Sequence, residues 1–510
     1  MSKKNKTPQY ILLVIMIGLF LCACTITVPT ATDTPARPTP IPADNAAQGM
    51  ELTWYMVGSQ TQIDKPAVIE RVNAILKEKI NATLKLNIFA AGDEYEMKTN
   101  TALAAGEPID IVFTANWNAN YNINASSGYF TELNGYLDKY PVIRSIVGEE
   151  FLNASAINGK IYAVPTNKEK VHHWGYLLRK DLVTKYNMDV LKITSIESLE
   201  PYLQTIWENE RQITPLAIAN MDAPFQILDW DRISDDDVPG ALYPDNGSSQ
   251  IINHFLAPES IELYHLMRSW YNKGYIHQDA DTMQNQLELM RSGRFFAASQ
   301  SLKPGKDAEI SASTGYEWVQ VDITRPVMSN REVTGAMLAI PVKSGNPERA
   351  FRFIELLYTD KELINLLKFG IADVHYRKVA ENRIQLTNRA YTGYNPGYTW
   401  GFGDQFKDYI LDTEDPLKWD RFIIYNNRGL VLDSLGFAFD KTNVEAQTSA
   451  CKNVVQAYYK QLLTGSSDVE ATIRQFEKEL KAAGVSDLIA EMQRQYDAWL
   501  AAKAAITPVP

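Results

Sequence analysis

Hydrophobic and polar positions repeat with two alternating periods from about residue 50 onward. Leu52, Trp54 and Met56 alternate with other residues, which predicts a β-strand. Apolar residues at helical spacing follow, and the chain then alternates again. The predicted elements are a strand at 52–56, a helix that begins at Pro66 and reaches residue 80, a strand at 84–88, a helix at 94–105 that ends at Gly106, and a strand at 109–113. Such an alternation of strands and helices predicts an α/β fold with a parallel sheet.

The third predicted strand runs into a loop that is rich in aromatic and amide side chains and has no charge. The loop contains Asn116, Trp117, Asn118, Asn120 and Tyr121. Ligands of parallel α/β sheets bind beyond the carboxyl ends of the strands. We therefore expect this loop to line a ligand site.

Later segments show turn and capping signals. Asn158-Gly159 predicts a tight hairpin, and residues 347–358 form an amphipathic helical pattern. Capping boxes are predicted at 359–362 and at 467–470, each before a helix that ends at a glycine. From about Asn443 the chain is predicted to be mainly helical.

The N-terminus has the pattern of a secretory signal. Three lysines precede the apolar run 11–21, which is too short to cross a bilayer comfortably. The run ends in Leu21-Cys22-Ala23-Cys24, which resembles a bacterial lipobox and implies cleavage before Cys24 and attachment of lipid to its sulfur. An ordinary secretory signal is the alternative. Residues 25–48 are mostly Thr, Pro and Ala, a composition typical of an extended tether.

Composition narrows the class of protein. A chain of 510 residues is long enough for two to four domains. Its net charge of −11 argues against a nucleic-acid partner. Cleavage and lipidation would leave Cys451 as the one thiol, so no disulfide framework is expected.

No motif predicts a metal, a cofactor or a catalytic centre. His172-His173 lacks the spacing of a zinc site, and no phosphate loop, dinucleotide fingerprint or nucleophile elbow is present. The acidic stretch 229–237 departs from a calcium-loop pattern at Ile233, so a solvated acidic loop is the favoured interpretation and calcium the alternative. A pair of carboxylates for glycoside hydrolysis needs no local motif and stays open.

Aromatic residues recur in polar or glycine-rich surroundings, where core residues are uncommon. A flat ring beside amides and carboxylates suits a sugar, whose C–H face packs on the ring while its hydroxyls form hydrogen bonds. Packing of some of these rings inside the protein is the alternative. The stretches are Trp54-Tyr55, Trp117 to Tyr121, His172-His173-Trp174, Asp229-Trp230-Asp231 and the run from Tyr394 to Gly403, which contains Trp400.

Several motifs in a fixed order resemble the family 1 extracellular solute-binding proteins of ABC importers, in particular a LipO-like lipoprotein branch. Asp404 stands where that branch would have Asn, a small departure. The motifs are the lipobox and tether, Gly-Glu-Pro-Ile-Asp-Ile-Val-Phe at 106–113, Asn-Gly-Lys-Ile-Tyr-Ala-Val-Pro at 158–165, the segments 335–340 and 346–350, Trp-Tyr-Asn-Lys-Gly-Tyr-Ile at 270–276, and Trp-Gly-Phe-Gly-Asp-Gln-Phe at 400–406.

The resemblance implies a two-lobed periplasmic-binding-protein-like fold of type II, with hinge strands and a mainly helical C-terminal part. We expect crossings between lobes near Val164-Pro165, near 335–340 and near 375. The expected divisions are a signal peptide at 1–23, a tether at 24–49, lobe 1 at 50–164 and 335–375, and lobe 2 at 165–334 and 376–510 with the C-terminal helices.

The resemblance also implies a function. The protein would be a lipid-anchored, monomeric, non-enzymatic receptor on the extracytoplasmic face of the cell membrane, which passes a carbohydrate to an ABC importer permease. A hydrolase, a ligand sensor for a membrane kinase, and a peptide or other small solute as cargo are the alternatives. The expected ligand-binding residues are Trp54, Trp117, Asn118, Tyr121, Glu169, Trp174, Trp230, Arg294, Phe296 and Trp400.

Overall fold

The computed structural model describes residues 49–59, 62–219, 224–245, 247–283 and 286–506. The predicted signal peptide, Cys24 and nearly all of the tether lie outside these residues. The strands are β1 (Met50–Val57), β2 (Ala82–Phe89), β3 (Ile111–Thr114), β4 (Ala163–Pro165), β5 (His173–Arg179), β6 (Thr214–Ala217), β7 (Asp231–Arg232), β8 (Ala241–Leu242), β9 (Phe295–Leu302), β10 (Trp318–Asp322), β11 (Val327–Met328), β12 (Met337–Ala339), β13 (Tyr376–Ala380), β14 (Arg383–Leu386), β15 (Ile410–Leu411) and β16 (Leu430–Val431).

Helices pack on the two largest sheets and make up most of the C-terminal part. The α-helices are α1 (Lys65–Ile80), α2 (Asp93–Ala105), α3 (Tyr121–Ser126), α4 (Asn134–Lys139), α5 (Val142–Val147), α6 (Glu149–Asn153), α7 (Lys180–Lys185), α8 (Glu200–Asn209), α9 (Pro258–Asn272), α10 (Gln286–Arg291), α11 (Lys306–Thr314), α12 (Asn330–Val333), α13 (Pro347–Thr359), α14 (Lys361–Phe369), α15 (Asn388–Thr392), α16 (Lys418–Asn426), α17 (Glu445–Thr464), α18 (Val469–Ala482) and α19 (Val485–Ile506). Short 3-10 helices lie at Val190–Lys192, Glu197–Leu199, Pro224–Leu228, His254–Leu256, Ala280–Thr282, Thr399–Gly401, Gln405–Lys407 and Thr442–Val444.

The first sheet has five strands in the order β2-β1-β3-β12-β4. β1 is parallel to β2 and to β3, as the β-α-β pattern predicted, because each connecting helix returns the chain to the same end of the sheet. β12 is antiparallel to β3 and β4. β3 is therefore an interior strand of the sheet, and the aromatic loop directly follows its carboxyl end.

The second sheet has four strands in the order β10-β5-β9-β6. β5 and β9 are central and are buried along nearly their whole length. Helices α17, α18 and α19 pack on the same core through apolar side chains such as Tyr459, Phe476 and Met492. Cys451 is a buried residue of this core, and burial raises the pKa of its thiol to about 11.

Two large hydrophobic cores define two lobes. Lobe 1, as named here, comprises residues 50–171 and 328–435, and lobe 2 comprises residues 174–321 and 437–500. The chain passes between the lobes at 172–173, at 322–327 and at about 436. β11 and β16 pair in parallel beside the second of these crossings.

The crossings differ from the predicted ones. Residues 376–435 were expected in lobe 2, but Tyr394, Phe402 and Tyr425 are buried in the lobe 1 core. The third crossing therefore lies at about 436 and not near 375. The second crossing, predicted near 335–340, lies at 322–327. The motif at 335–340 instead forms β12, a strand inside the lobe 1 sheet.

Local signals are reproduced with small shifts. Ile157 and Lys160 pair across the Asn-Gly turn, and α2 ends at Gly106 in the left-handed conformation. The predicted capping boxes are replaced by aspartate caps one residue later: the Asp360 side chain accepts from the Leu363 amide, and Asp468 accepts from the Ala471 amide. Among the described residues, no helix is both long enough and apolar enough to cross a membrane.

Candidate functional site

A large cavity of about 2350 Å³ lies between the lobes. Lobe 1 contributes Trp117 and Trp400 to its lining, and lobe 2 contributes Trp174 and Trp230. Pockets for small molecules typically measure roughly 300–1,000 Å³. The cavity therefore has room for a ligand larger than a single sugar ring.

Amide side chains of the loop after β3 hold the loop itself in shape. The Asn118 side chain donates to the Gly92 carbonyl at 3.1 Å, and Asn120 caps α3 by accepting from the Ile123 amide. Glu96 accepts from the backbone amide of Ala119, which has a φ of 44°. These amides explain the polar composition of the loop without any ligand contact.

Trp117 is the aromatic residue that this loop presents to the cavity, next to Asn116 and Asn120. Its side chain is 44% exposed, while its indole Nε1 donates to the Gly335 carbonyl at 2.8 Å. The Trp117 ring lies 6.1 Å from the rings of both Tyr398 and Trp400. We call Trp117, Tyr398 and Trp400 the aromatic platform. Because the polar edge of Trp117 is already bonded and Tyr398 stacks on its ring, the exposed part of the ring surface remains for packing against a ligand.

A row of charges joins the platform to lobe 2. The Lys168 ammonium lies 6.0 Å from the Trp400 ring centroid and 3.0 Å from a Glu169 oxygen. Lys303 of lobe 2 approaches Glu169 at 3.6 Å. Burial raises the pKa of Glu169, but the two ammonium groups outweigh burial and lower this pKa to about 2. Glu169 is therefore ionised and tied to both lobes.

His172 forms a second charged contact at the first crossing. Its ring nitrogens lie 2.7 Å from Glu332 and 2.9 Å from Asp229. Burial alone lowers the pKa of His172, but these two carboxylates outweigh it and raise the pKa to about 10. A protonated His172 therefore bridges a carboxylate of each lobe.

The acidic loop 229–237 lines the cavity and is not an isolated solvated loop. Burial raises the pKa of Asp231 to about 7. Asp237 instead lies 3.1 Å from the Lys452 ammonium. Among the described residues, no group of three His, Cys, Asp or Glu side chains could hold a metal ion.

Five of the ten expected ligand-binding residues line the cavity. They are Trp117, Glu169, Trp174, Trp230 and Trp400. Trp174 and Trp230 are each only 5% exposed, so they offer the cavity little more than an edge. Trp117 and Trp400 are consequently the larger aromatic surfaces.

The other five do not line the cavity: four of them are buried by other parts of the protein, and Arg294 is exposed on the surface. Trp54 is fully buried, with Phe353 and Phe402 at 5.5 and 5.1 Å. The buried Tyr121 hydroxyl donates to the Ser155 carbonyl at 2.7 Å. The remaining three are Asn118, held inside its loop, Phe296, buried in β9, and Arg294, whose carbonyl accepts from the Thr214 amide.

Sequence analysis missed most polar residues of the lining, among them Arg331, Lys452 and Gln456. Arg331 lies between the lobes, with its guanidinium 5.9 Å from the Trp174 ring and 3.5 Å from Asp236. Lys452 and Gln456 project from α17. A solvated helical face gives the same local pattern, so no signal within the sequence distinguishes a cavity wall from an ordinary surface.

Two family models match the chain. The model of the bacterial extracellular solute-binding proteins matches residues 70–377. A domain of unknown function, DUF3502, matches residues 433–501. The second match covers α17, α18 and most of α19.

Relatives and solved structures match almost the whole chain. A carbohydrate ABC transporter substrate-binding protein of Streptococcus pneumoniae serotype 4 is 26% identical over 460 residues, which cover 88% of this chain and 90% of that protein. The crystal structure of the N-glycan transport solute binding protein (NgtS) from Streptococcus pneumoniae is 24% identical, with a TM-score of 0.81 over 89% of this chain and all of that one. Its complex with Man5GlcNAc is 25% identical, with a TM-score of 0.73 over 89% and 99% of the two chains. These likenesses show the two-lobed solute-binding fold.

Proposed function

Because this chain belongs to the bacterial extracellular solute-binding proteins, we propose that it captures an oligosaccharide between its lobes and delivers it to an ABC importer permease. The family consists of transport receptors and not of enzymes. The observation that carries the proposal is the half-exposed Trp117 ring on the aromatic platform, inside a cavity of about 2350 Å³. A sugar that packs on this platform would remove apolar surface of both partners from water.

The charges around the platform support a polar, uncharged cargo. Glu169 is paired with Lys168 and Lys303, and His172 is paired with two carboxylates. Paired charges of this kind leave little net attraction for a charged ligand but still offer hydrogen-bonding atoms to hydroxyl groups. The named cargo of the relatives, a carbohydrate and N-glycans, has the same chemistry.

The experiment is a thermal-shift screen of the purified protein against mono- and oligosaccharides, including Man1GlcNAc and Man5GlcNAc. A ligand at a hundredfold excess over its Kd stabilises the folded state by about 2.7 kcal/mol, which gives a clear rise in melting temperature. We expect a selective rise with one glycan series, and chromatography should recover the glycan intact. No shift with any glycan, or turnover of the glycan, would refute the proposal.

The lipid anchor is a further part of the proposal. Cys24 in the lipobox-like sequence would carry the lipid and hold the protein at the outer face of the cell membrane, with the Thr/Pro-rich segment as a tether. Anchored in this way, the receptor stays within reach of the permease.

Replacement of the anchoring cysteine tests this part. We expect Cys24→Ala to move the protein from the membrane fraction into the medium, because no lipid can then be attached. The matched control is Cys22→Ala, which should stay with the membrane. Retention of both variants in the membrane fraction would contradict anchoring through Cys24.

A further inference from the structure

Helix α17, within the segment of unknown function, turns one polar face to the cavity. Glu445, Lys452 and Gln456 all line the cavity. They lie seven and four residues apart, which places them on one side of a helix with 3.6 residues per turn. Cys451 and Leu462 lie in the lobe 2 core. The helix is thus a wall between the core and the cavity.

This wall continues into the acidic loop. The Gln456 side-chain amide donates to Asp237 at 2.7 Å, and the Lys452 ammonium lies 3.1 Å from the same carboxylate. The neighbouring Asp236 reaches Arg331 at 3.5 Å.

The same line of contacts reaches the aromatic platform. The Arg331 carbonyl accepts from the side-chain amide of Asn116, the residue before Trp117. A continuous polar strip therefore runs from the platform across the acidic loop to α17.

Helix α19 of the same segment supports the region behind the loop. Gly240 has a φ of 137°, and a Cβ atom at this position would collide with Met492. The Gln493 side chain accepts from the Ile251 amide at 2.7 Å and donates to the Ser249 carbonyl at 3.0 Å. Because the region is held from behind, little conformational entropy remains to be lost when a ligand contacts its cavity side.

We infer that helix α17, inside the matched segment 433–501, forms a ligand-recognition wall in which Lys452 and Gln456 bind the distal sugars of a long oligosaccharide. The inference rests on the proposed function. A single ring on the platform fills a small part of a cavity of about 2350 Å³, so a longer glycan must extend along another wall. An ammonium and an amide supply the donors and the acceptor that sugar hydroxyls require.

The test measures the affinity of two α17 variants for a short and a long glycan. Lys452→Ala/Gln456→Ala removes two of the cavity-facing polar groups, and Asn453→Ala removes an exposed amide of the same helix that does not line the cavity. Calorimetry would measure Kd for Man1GlcNAc and Man5GlcNAc, or for the shortest and longest members of whichever glycan series the wild type binds. The melting temperature of each ligand-free variant reports whether folding is preserved.

We expect the double variant to raise the Kd of the long glycan about tenfold, to leave the Kd of the short glycan unchanged, and to match Asn453→Ala in melting temperature. Hydrogen exchange of the wild type should show protection of 445–460 by the long glycan alone. Equal Kd values for variant and wild type, or equal losses for both glycans, would overturn the inference while the proposed function stands. A wild type that binds no glycan would refute both.

Discussion

Trp54 and Trp117 are the same residue type in opposite environments. Trp54 is fully buried between Phe353 and Phe402, whereas Trp117 is 44% exposed in the cavity. The first ring stabilises lobe 1 by packing, and the second is free to pack on a ligand. Substitution of each should therefore change a different property of the protein.

At Trp117 the expected change is in affinity. Loss of a ring face that packs on a sugar costs about 2 kcal/mol, so Trp117→Ala should raise the glycan Kd roughly 30-fold in calorimetry, with little change in melting temperature. Trp207→Ala is the control, because Trp207 is 51% exposed and does not line the cavity. An unchanged Kd for Trp117→Ala would exclude the platform as a sugar site.

At Trp54 the expected change is in stability. Trp54→Ala would leave a cavity in the lobe 1 core and lower the free energy of unfolding by about 3–5 kcal/mol, measured by denaturant titration. The remaining folded protein should keep the wild-type Kd. A weaker Kd without loss of stability would place Trp54 in the ligand site instead of the core.

At the scale of elements, the segment around the first crossing is held by charge. His172 lies between Glu332 of α12 and Asp229 of the acidic loop, and these carboxylates, against the effect of burial, raise its pKa to about 10. Unfolded histidine has a pKa of about 6.5. The folded state therefore binds the proton more tightly than the unfolded state does.

This difference in pKa sets a pH window for stability. The contribution of His172 is fully present below about pH 6.5 and is lost as the pH rises towards about 10. We expect the difference in unfolding free energy between wild type and His172→Gln to be largest near pH 6 and to shrink towards pH 10. His265→Gln, a half-exposed histidine of α9, controls for removal of an imidazole. A difference that is constant with pH would contradict the assignment.

At the scale of the whole molecule, three crossings join the lobes around the cavity. The crossings lie at 172–173, 322–327 and about 436, and each connects elements of separate hydrophobic cores. Because the connections are few and short, the lobes can rotate as rigid bodies about them. Closure on a ligand would bring the lobe 2 side of the cavity onto the aromatic platform.

Small-angle X-ray scattering tests closure directly. We expect the radius of gyration of the protein to decrease when the glycan that it binds is added, because the space between the lobes closes. A sugar that gives no thermal shift serves as the control. An unchanged radius of gyration at saturation would mean that the ligand binds without movement of the lobes.

Sequence by itself determined the elements and the position of the aromatic loop. The strand, helix and turn signals from residue 50 to residue 165 depend on neighbours a few positions away, and the structure contains each of these elements within about two residues. The location of Trp117 after a sheet strand follows from the same local order. Motif order was also enough to indicate the solute-binding fold.

Only the tertiary structure decided which side chains face the cavity. Trp54 is removed from the site by Phe353 and Phe402, and Lys452 reaches Asp237 across more than two hundred residues of sequence. The third crossing lies at about 436 instead of near 375 for the same reason, because residues 376–435 pack on a core made largely by the first part of the chain. Local patterns fix period and turn type, whereas burial depends on partners that only the folded chain brings together.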